Sequence, residues 1–132
     1  MSRTKSTRKV QRGDVSGALY ERHAEMCKVF SNATRLRILN VLREKELSVA
    51  AIAAKLRVAM GTVSPHLLMM KQRRVLVSRK QGNQVFYRLS NPKMLQAFDL
   101  IREILFEQIE QEGLLLEREE RAGGLKEERT RD

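Results

Sequence analysis

Two histidines, His23 and His66, and one cysteine, Cys27, are the only imidazole and thiol groups in this chain of 132 residues. Nucleophilic or acid–base catalysis needs such a group beside another that activates it. No serine or threonine stands at a spacing that argues for a His–acid arrangement. No glycine-rich loop that could cradle a phosphate is present. The residues therefore point away from an enzyme and toward binding. From residue 47 through 98 there is no Asp or Glu, while Lys55, Arg57, Lys71, Arg73, Arg74, Arg79, Lys80, Arg88 and Lys93 supply nine positive charges. The whole chain carries a net charge of +10. A field of one sign draws in a polyanion, and releasing the polyanion's counterions supplies affinity. DNA, RNA and anionic membranes all meet that description.

Metal chemistry is poorly provided for. A zinc site needs about four ligands. His23 and Cys27 lie four apart, on one side of a helix, and two such pairs across a two-fold axis would supply four. Both residues also lie on apolar stripes, where filling an interface is the plainer role. We expect no metal and no other cofactor. Cys27 has no resolving thiol in its own chain, and a single cysteine agrees with a reducing compartment. The six methionines are scattered, which suits core packing. No apolar run is long enough to span a bilayer, and the basic N-terminus lacks the apolar segment of a secretory signal. The expectation is a cytoplasmic protein with no membrane partner.

These residues need elements to position them. Residues 1–15 read as a flexible basic arm and 117–132 as a solvated charged tail, leaving 16–116 as one domain. Leu19, His23, Met26 and Phe30 follow helical spacing and predict a first helix over residues 16–30. Asn32 and Ser48 suit N-caps for helices over 33–43 and 49–56. A fourth helix reaches Arg73. It contains Pro65, whose missing N–H is harmless only in the first turn, so we predict a start with Gly61 or Thr62 as cap. Two strands, residues 75–78 and 85–89, flank a turn at Gln81-Gly82-Asn83. Asn91-Pro92 opens a last helix with Met94, Phe98, Ile101, Leu105 and Ile109 on one face. That helix is expected to fade after Leu116 and to end by Gly123-Gly124.

The order is α-α-α-α-β-β-α, mainly helical with a small β-hairpin. A short helix followed by a second one after a tight turn is a helix-turn-helix, and the hairpin makes it winged. Ala33-Thr34-Arg35-Leu36-Arg37-Ile38-Leu39 resembles the opening motif of the ArsR/SmtB family of repressors. Thr62-Val63-Ser64-Pro65-His66-Leu67 is similar to that family's recognition-helix signature, and residues 77–89 to its wing. The likeness covers about residues 18–110. It implies a homodimer joined through its first and last helices, repressing transcription until an inducer binds. The interface would then hold Leu19, His23, Met26, Cys27, Phe30, Phe98, Ile101, Leu105 and Ile109. The family's metal ligands are not matched: residues 47–51 lack the cysteine pair, and no histidine accompanies Asp99. The residues do not name an inducer.

On this reading Gly61, Thr62, Ser64, His66 and Lys71 face double-stranded DNA from the recognition helix. Gly61 would let backbone N–H groups approach a phosphate. The hydroxyls would bond phosphates or base edges. His66 either touches DNA or packs its ring beneath the helix. Arg79, Lys80, Gln81, Asn83, Gln84 and Arg88 make the wing, whose amides would read the minor groove or its phosphates. The expected function is a sequence-specific regulator on an inverted repeat. Nonspecific or architectural nucleic-acid binding is the alternative. A protein-interaction adaptor would need an apolar recognition face, where we expect Thr62, Ser64 and Lys71 instead.

Overall fold

The computed structural model describes the backbone of residues 16–131 and side chains through residue 123. The predicted N-terminal arm lies outside that range. Three polar caps open three helices, as their side chains dictate. The Ser16 hydroxyl accepts the Leu19 N–H at 3.3 Å and opens α1, Gly17–Cys27. Asn32 accepts the Arg35 N–H at 3.1 Å and opens α2, Ala33–Val41. Ser48 accepts the Ala51 N–H at 3.1 Å and opens α3, Val49–Leu56. The first helix stops short of Phe30, because Lys28–Phe30 tightens into a 3-10 turn.

Apolar spacing then sets the packing. Ile38, Leu39 and Leu42 pack with Ile52, Ala53 and Leu56 of α3 and with Val63, Leu67 and Met70 of α4, Met60–Gln72. All of them are buried, and each large one contributes about 1.5–3 kcal/mol by leaving water. Strand β2, Leu76–Gln81, pairs antiparallel with β3, Gln84–Leu89, in a register running from Leu76↔Leu89 to Gln81↔Gln84. Gly82 turns the chain with φ +62°, which glycine reaches at no steric cost. A further strand escaped the sequence. Leu47–Ser48 forms β1 and pairs with β3 through Leu47↔Tyr87 and Ser48↔Phe86, so the sheet order is β1-β3-β2. Two residues are too few to show an alternating pattern, and their partner lies far along the chain.

Pro92 closes this first compact unit, and α5, Lys93–Arg131, forms a second. The helix neither fades after Leu116 nor ends at Gly123-Gly124, which corrects the expectation above. Each glycine costs a helix only about 1 kcal/mol, and the flanking Leu, Glu, Arg and Lys are strong helix formers. Residues 117–122 are exposed, but they are helical.

Two of the shorter helices end without glycine where glycine is customary. Arg57 closes α3 at φ 59°, with Val58 N–H bonded to the Ala53 carbonyl at 3.1 Å. Arg74 closes α4 the same way at φ 61°, with Val75 N–H on the Met70 carbonyl at 2.9 Å. A left-handed residue with a Cβ costs about 1–2 kcal/mol. We expect Arg57→Gly to stabilise the fold by about 1 kcal/mol, seen as a higher urea midpoint with unchanged slope. An unchanged or lower midpoint would show that the Arg57 side chain compensates the strain.

Candidate nucleic-acid interface

Helix α4 follows α3 after a three-residue turn, Arg57-Val58-Ala59, and the buried stripe Val63, Leu67, Met70 fixes its orientation. At about 100° per residue, the side facing away from that stripe is Gly61, Pro65, Leu68 and Gln72. All four are exposed. Thr62 and His66 lie on one flank, Ser64 and Lys71 on the other. Thr62 and Ser64, grouped together by the sequence, are thus separated by the helix itself. The centre of the face is apolar where we expected polar side chains: Leu68 is 52% exposed, with Pro65 exposed beside it. Sequence reasoning missed Leu68 because it treated the signature motif as one stretch and did not rotate it on a helix.

The start of α4 also corrects an expectation. Ala59 is the N-cap and offers no side-chain bond, so Pro65 is the sixth helical residue. Its missing N–H leaves the Gly61 carbonyl without a helical donor. The residue is exposed, so water can take that bond, and the usual penalty shrinks. Ser64 is exposed, and its hydroxyl donates back to the Met60 carbonyl at 2.8 Å, retaining its lone pairs as acceptors. A Cβ added at Gly61 would meet nothing within 4 Å, so no packing inside the chain accounts for this glycine.

His66 is half-buried, and its Nδ1 lies 3.4 Å from Arg35 Nη1. A guanidinium can only donate, so Nδ1 is the acceptor and a neutral ring carries its proton on Nε2. The same arginine donates to the carbonyls of Lys28 at 2.7 Å and Val29 at 3.3 Å. Arg37 donates to the Leu56 carbonyl at 2.6 Å, closing the end of α3. Both arginines of the opening motif therefore serve the scaffold. Their alternation with Leu36 and Ile38 gave no sign of it.

The wing divides its cations. Successive side chains on a strand point to opposite faces. Arg79, Gln81, Gln84 and Arg88 share one face with Phe86, and Lys80 points to the other. Arg79 is not a free cation. It reaches Glu46 at 2.6 Å and the Gln81 amide oxygen at 2.6 Å, and lies 4.6 Å above the Phe86 ring. The Arg79 hydrogen bond holds the Glu46 carboxyl below its ordinary value, and Glu46 raises Arg79 in turn. Glu46 stands one residue before the acid-free stretch, so a search inside that stretch could not find it. Arg73 likewise reaches outside, to Glu25 at 2.9 Å. Lys71, Lys80 and Asn83 are exposed, and neither lysine is ion-paired among the described residues.

The residues expected at a dimer interface divide too. Helix α1 has no buried residue, and Leu19, His23, Met26 and Cys27 are exposed. Phe30 is half-buried. On α5, Ile101, Leu105 and Ile109 are about half exposed, and Phe98 is 4% exposed. Leu100, Ile104, Phe106 and Leu114–Leu116 are exposed as well and widen the apolar surface of α5. Among the described residues no three His, Cys, Asp or Glu side chains cluster to hold a metal, and no helix is long and apolar enough to cross a membrane.

Residues 32–76 match the arsR family of bacterial regulatory proteins. An HTH-type transcriptional regulator of Methanocaldococcus jannaschii is 33% identical over 86 residues, covering 64% of this chain and 97% of that one. The transcriptional repressor PagR of Bacillus anthracis is 35% identical over 85 residues, covering 64% of this chain and 85% of that one. Among solved structures, the homodimeric winged helix-turn-helix DNA-binding domain from Mycobacterium bovis superposes with a TM-score of 0.64 at 27% identity, covering 75% of this chain and 92% of that domain. By its helix-turn-helix and wing, by the family match and by these likenesses in sequence and fold, the chain belongs to the ArsR family of winged helix-turn-helix transcriptional regulators.

Proposed function

We propose that this regulator binds double-stranded DNA as a homodimer, on an inverted repeat, and represses transcription. One observation carries the reading. The outward side of α4 is solvent-exposed and sits within fifty-two residues, 47–98, that hold no acid. In a helix-turn-helix that side enters the major groove while the preceding helix crosses the backbone. Thr62, Ser64 and the Nε2–H of His66 are the hydrogen-bonding groups on its flanks. Lys71, Lys80 and Arg88 supply phosphate contacts, and Gln84 and Asn83 lie at the wing tip. The repressor role is taken by analogy with PagR, and the dimer by analogy with the Mycobacterium bovis domain. Exposed apolar residues on α1 and α5 give a dimer something to bury. Two recognition helices about 34 Å apart would then meet successive major grooves. No catalytic role is proposed, and the working compartment is the cytoplasm.

A footprint on DNA upstream of the protein's own gene tests the reading directly, with a protected inverted repeat as the expected result. Lys71→Ala and Lys80→Ala should each weaken binding to all sequences and lower the salt slope by about 1. Glu46→Gln should do the opposite, since it removes an acid from the wing and frees Arg79. Its salt slope should rise by about 1, with tighter binding to random and selected duplexes alike. Weaker binding by Glu46→Gln would mean that Arg79 acts only when held on Phe86. Replacing Leu105 and Ile109 together with Glu should yield a monomer in sedimentation velocity. A persistent dimer would remove α5 from the interface.

A further inference from the structure

The centre of the recognition face has almost nothing with which to form a hydrogen bond. Gly61 has no side chain, Pro65 has neither a polar side chain nor an N–H, and Leu68 is aliphatic. Gln72, at the far end, is the exception. Leu68 stands apart from the core stripe of α4, for Val63, Leu67 and Met70 are buried while Leu68 stays 52% exposed. In the major groove one base-edge feature is apolar, the C5-methyl group of thymine. We propose that Pro65 and Leu68 read thymine methyl groups, so that each half-site contains thymine at one or two neighbouring positions. The two residues are three apart, about 4.5 Å along the helix axis, which compares with the 3.4 Å step between base pairs. Empty space around Gly61 lets the start of the helix come close enough to seat them.

DNA, and not a protein partner, is the occupant that the surroundings favour. The apolar strip is narrow and is flanked by Thr62, Ser64 and Lys71. It lies in the acid-free stretch, whose one-sign field suits a polyanion. The inference rests on the DNA-binding reading above and deepens it.

The test uses the full chain and duplexes selected by it from a random pool. The enriched half-site is resynthesised with deoxyuridine in place of thymidine, one position at a time, which deletes only the methyl group. Wild-type protein should lose about fourfold in affinity at each contacted position, the worth of one buried methyl. Leu68→Ala, which removes an exposed side chain and should melt at the wild-type temperature, should bind the thymine duplex more weakly and lose the uracil penalty at the position that Leu68 reads, keeping it only where Pro65 makes the contact. Equal wild-type affinity for the thymine and uracil duplexes would overturn the inference while leaving DNA binding intact. So would a uracil penalty that persists undiminished at every contacted position in Leu68→Ala. A Leu68→Ala variant with full DNA affinity would assign the strip to a protein partner. Failure to enrich any sequence would overturn the DNA-binding reading itself, and the inference with it.

Discussion

The guanidinium of Arg35 is the joint on which the DNA-facing half depends. In the 3-10 turn at Lys28–Phe30 the Lys28 carbonyl accepts the Ser31 N–H at 3.1 Å, and the carbonyls of this turn keep lone pairs for further donors. Arg35 takes two of them, adds a 3.4 Å contact to the Ser31 hydroxyl, and extends its last arm to His66. One side chain thereby ties the end of α1, the start of α2 and the flank of α4. Hydrogen bonds to a charged group are worth about 1.5–3 kcal/mol where water is held off, and Arg35 is partly buried. Arg37 performs the same service for the Leu56 carbonyl, just before the turn between the two helices of the motif. The positive charges of α2 are thus directed into the scaffold, and the cations left for a polyanion come from α4 and the wing.

Net charge alone would overstate those cations. Arg79 spends its charge on Glu46 and its flat face on Phe86, so this pair adds little net charge to the wing. Glu25 and Glu46 have carboxyls held below their ordinary values by neighbouring cations. Each therefore favours the folded state at neutral pH, and that contribution is lost as the pH falls through the carboxylate range. Both groups are at the surface, where screening keeps such contributions small. Their importance lies in shaping the field: they draw Arg73 and Arg79 away and leave Lys71 and Lys80 facing solvent.

Helix α4 shows how burial overrides local preference. Pro65 prefers a first turn, yet the stripe of Val63, Leu67 and Met70 must reach the core, and three buried side chains outweigh one exposed carbonyl left to water. The long α5 repeats the lesson, for Gly123 and Gly124 were read as a stop but are spanned by helix. In both places a local signal of about 1–3 kcal/mol met a larger sum.

Much was legible beforehand, because it rests on short-range chemistry. Asn32 and Ser48 announce their helices through a hydroxyl or amide three residues from its partner. The acid-free middle third announces a polyanion. Three things required the folded chain. Strand β1 exists only beside β3. Arg79 is neutralised only because Glu46, 33 residues away in sequence, is brought to it. The recognition face has an apolar centre only once the motif is wound into a helix whose buried side is known. Sequence records which groups are present and what their near neighbours are, while the direction each group faces is set by distant burial, and that direction decides what a partner can touch.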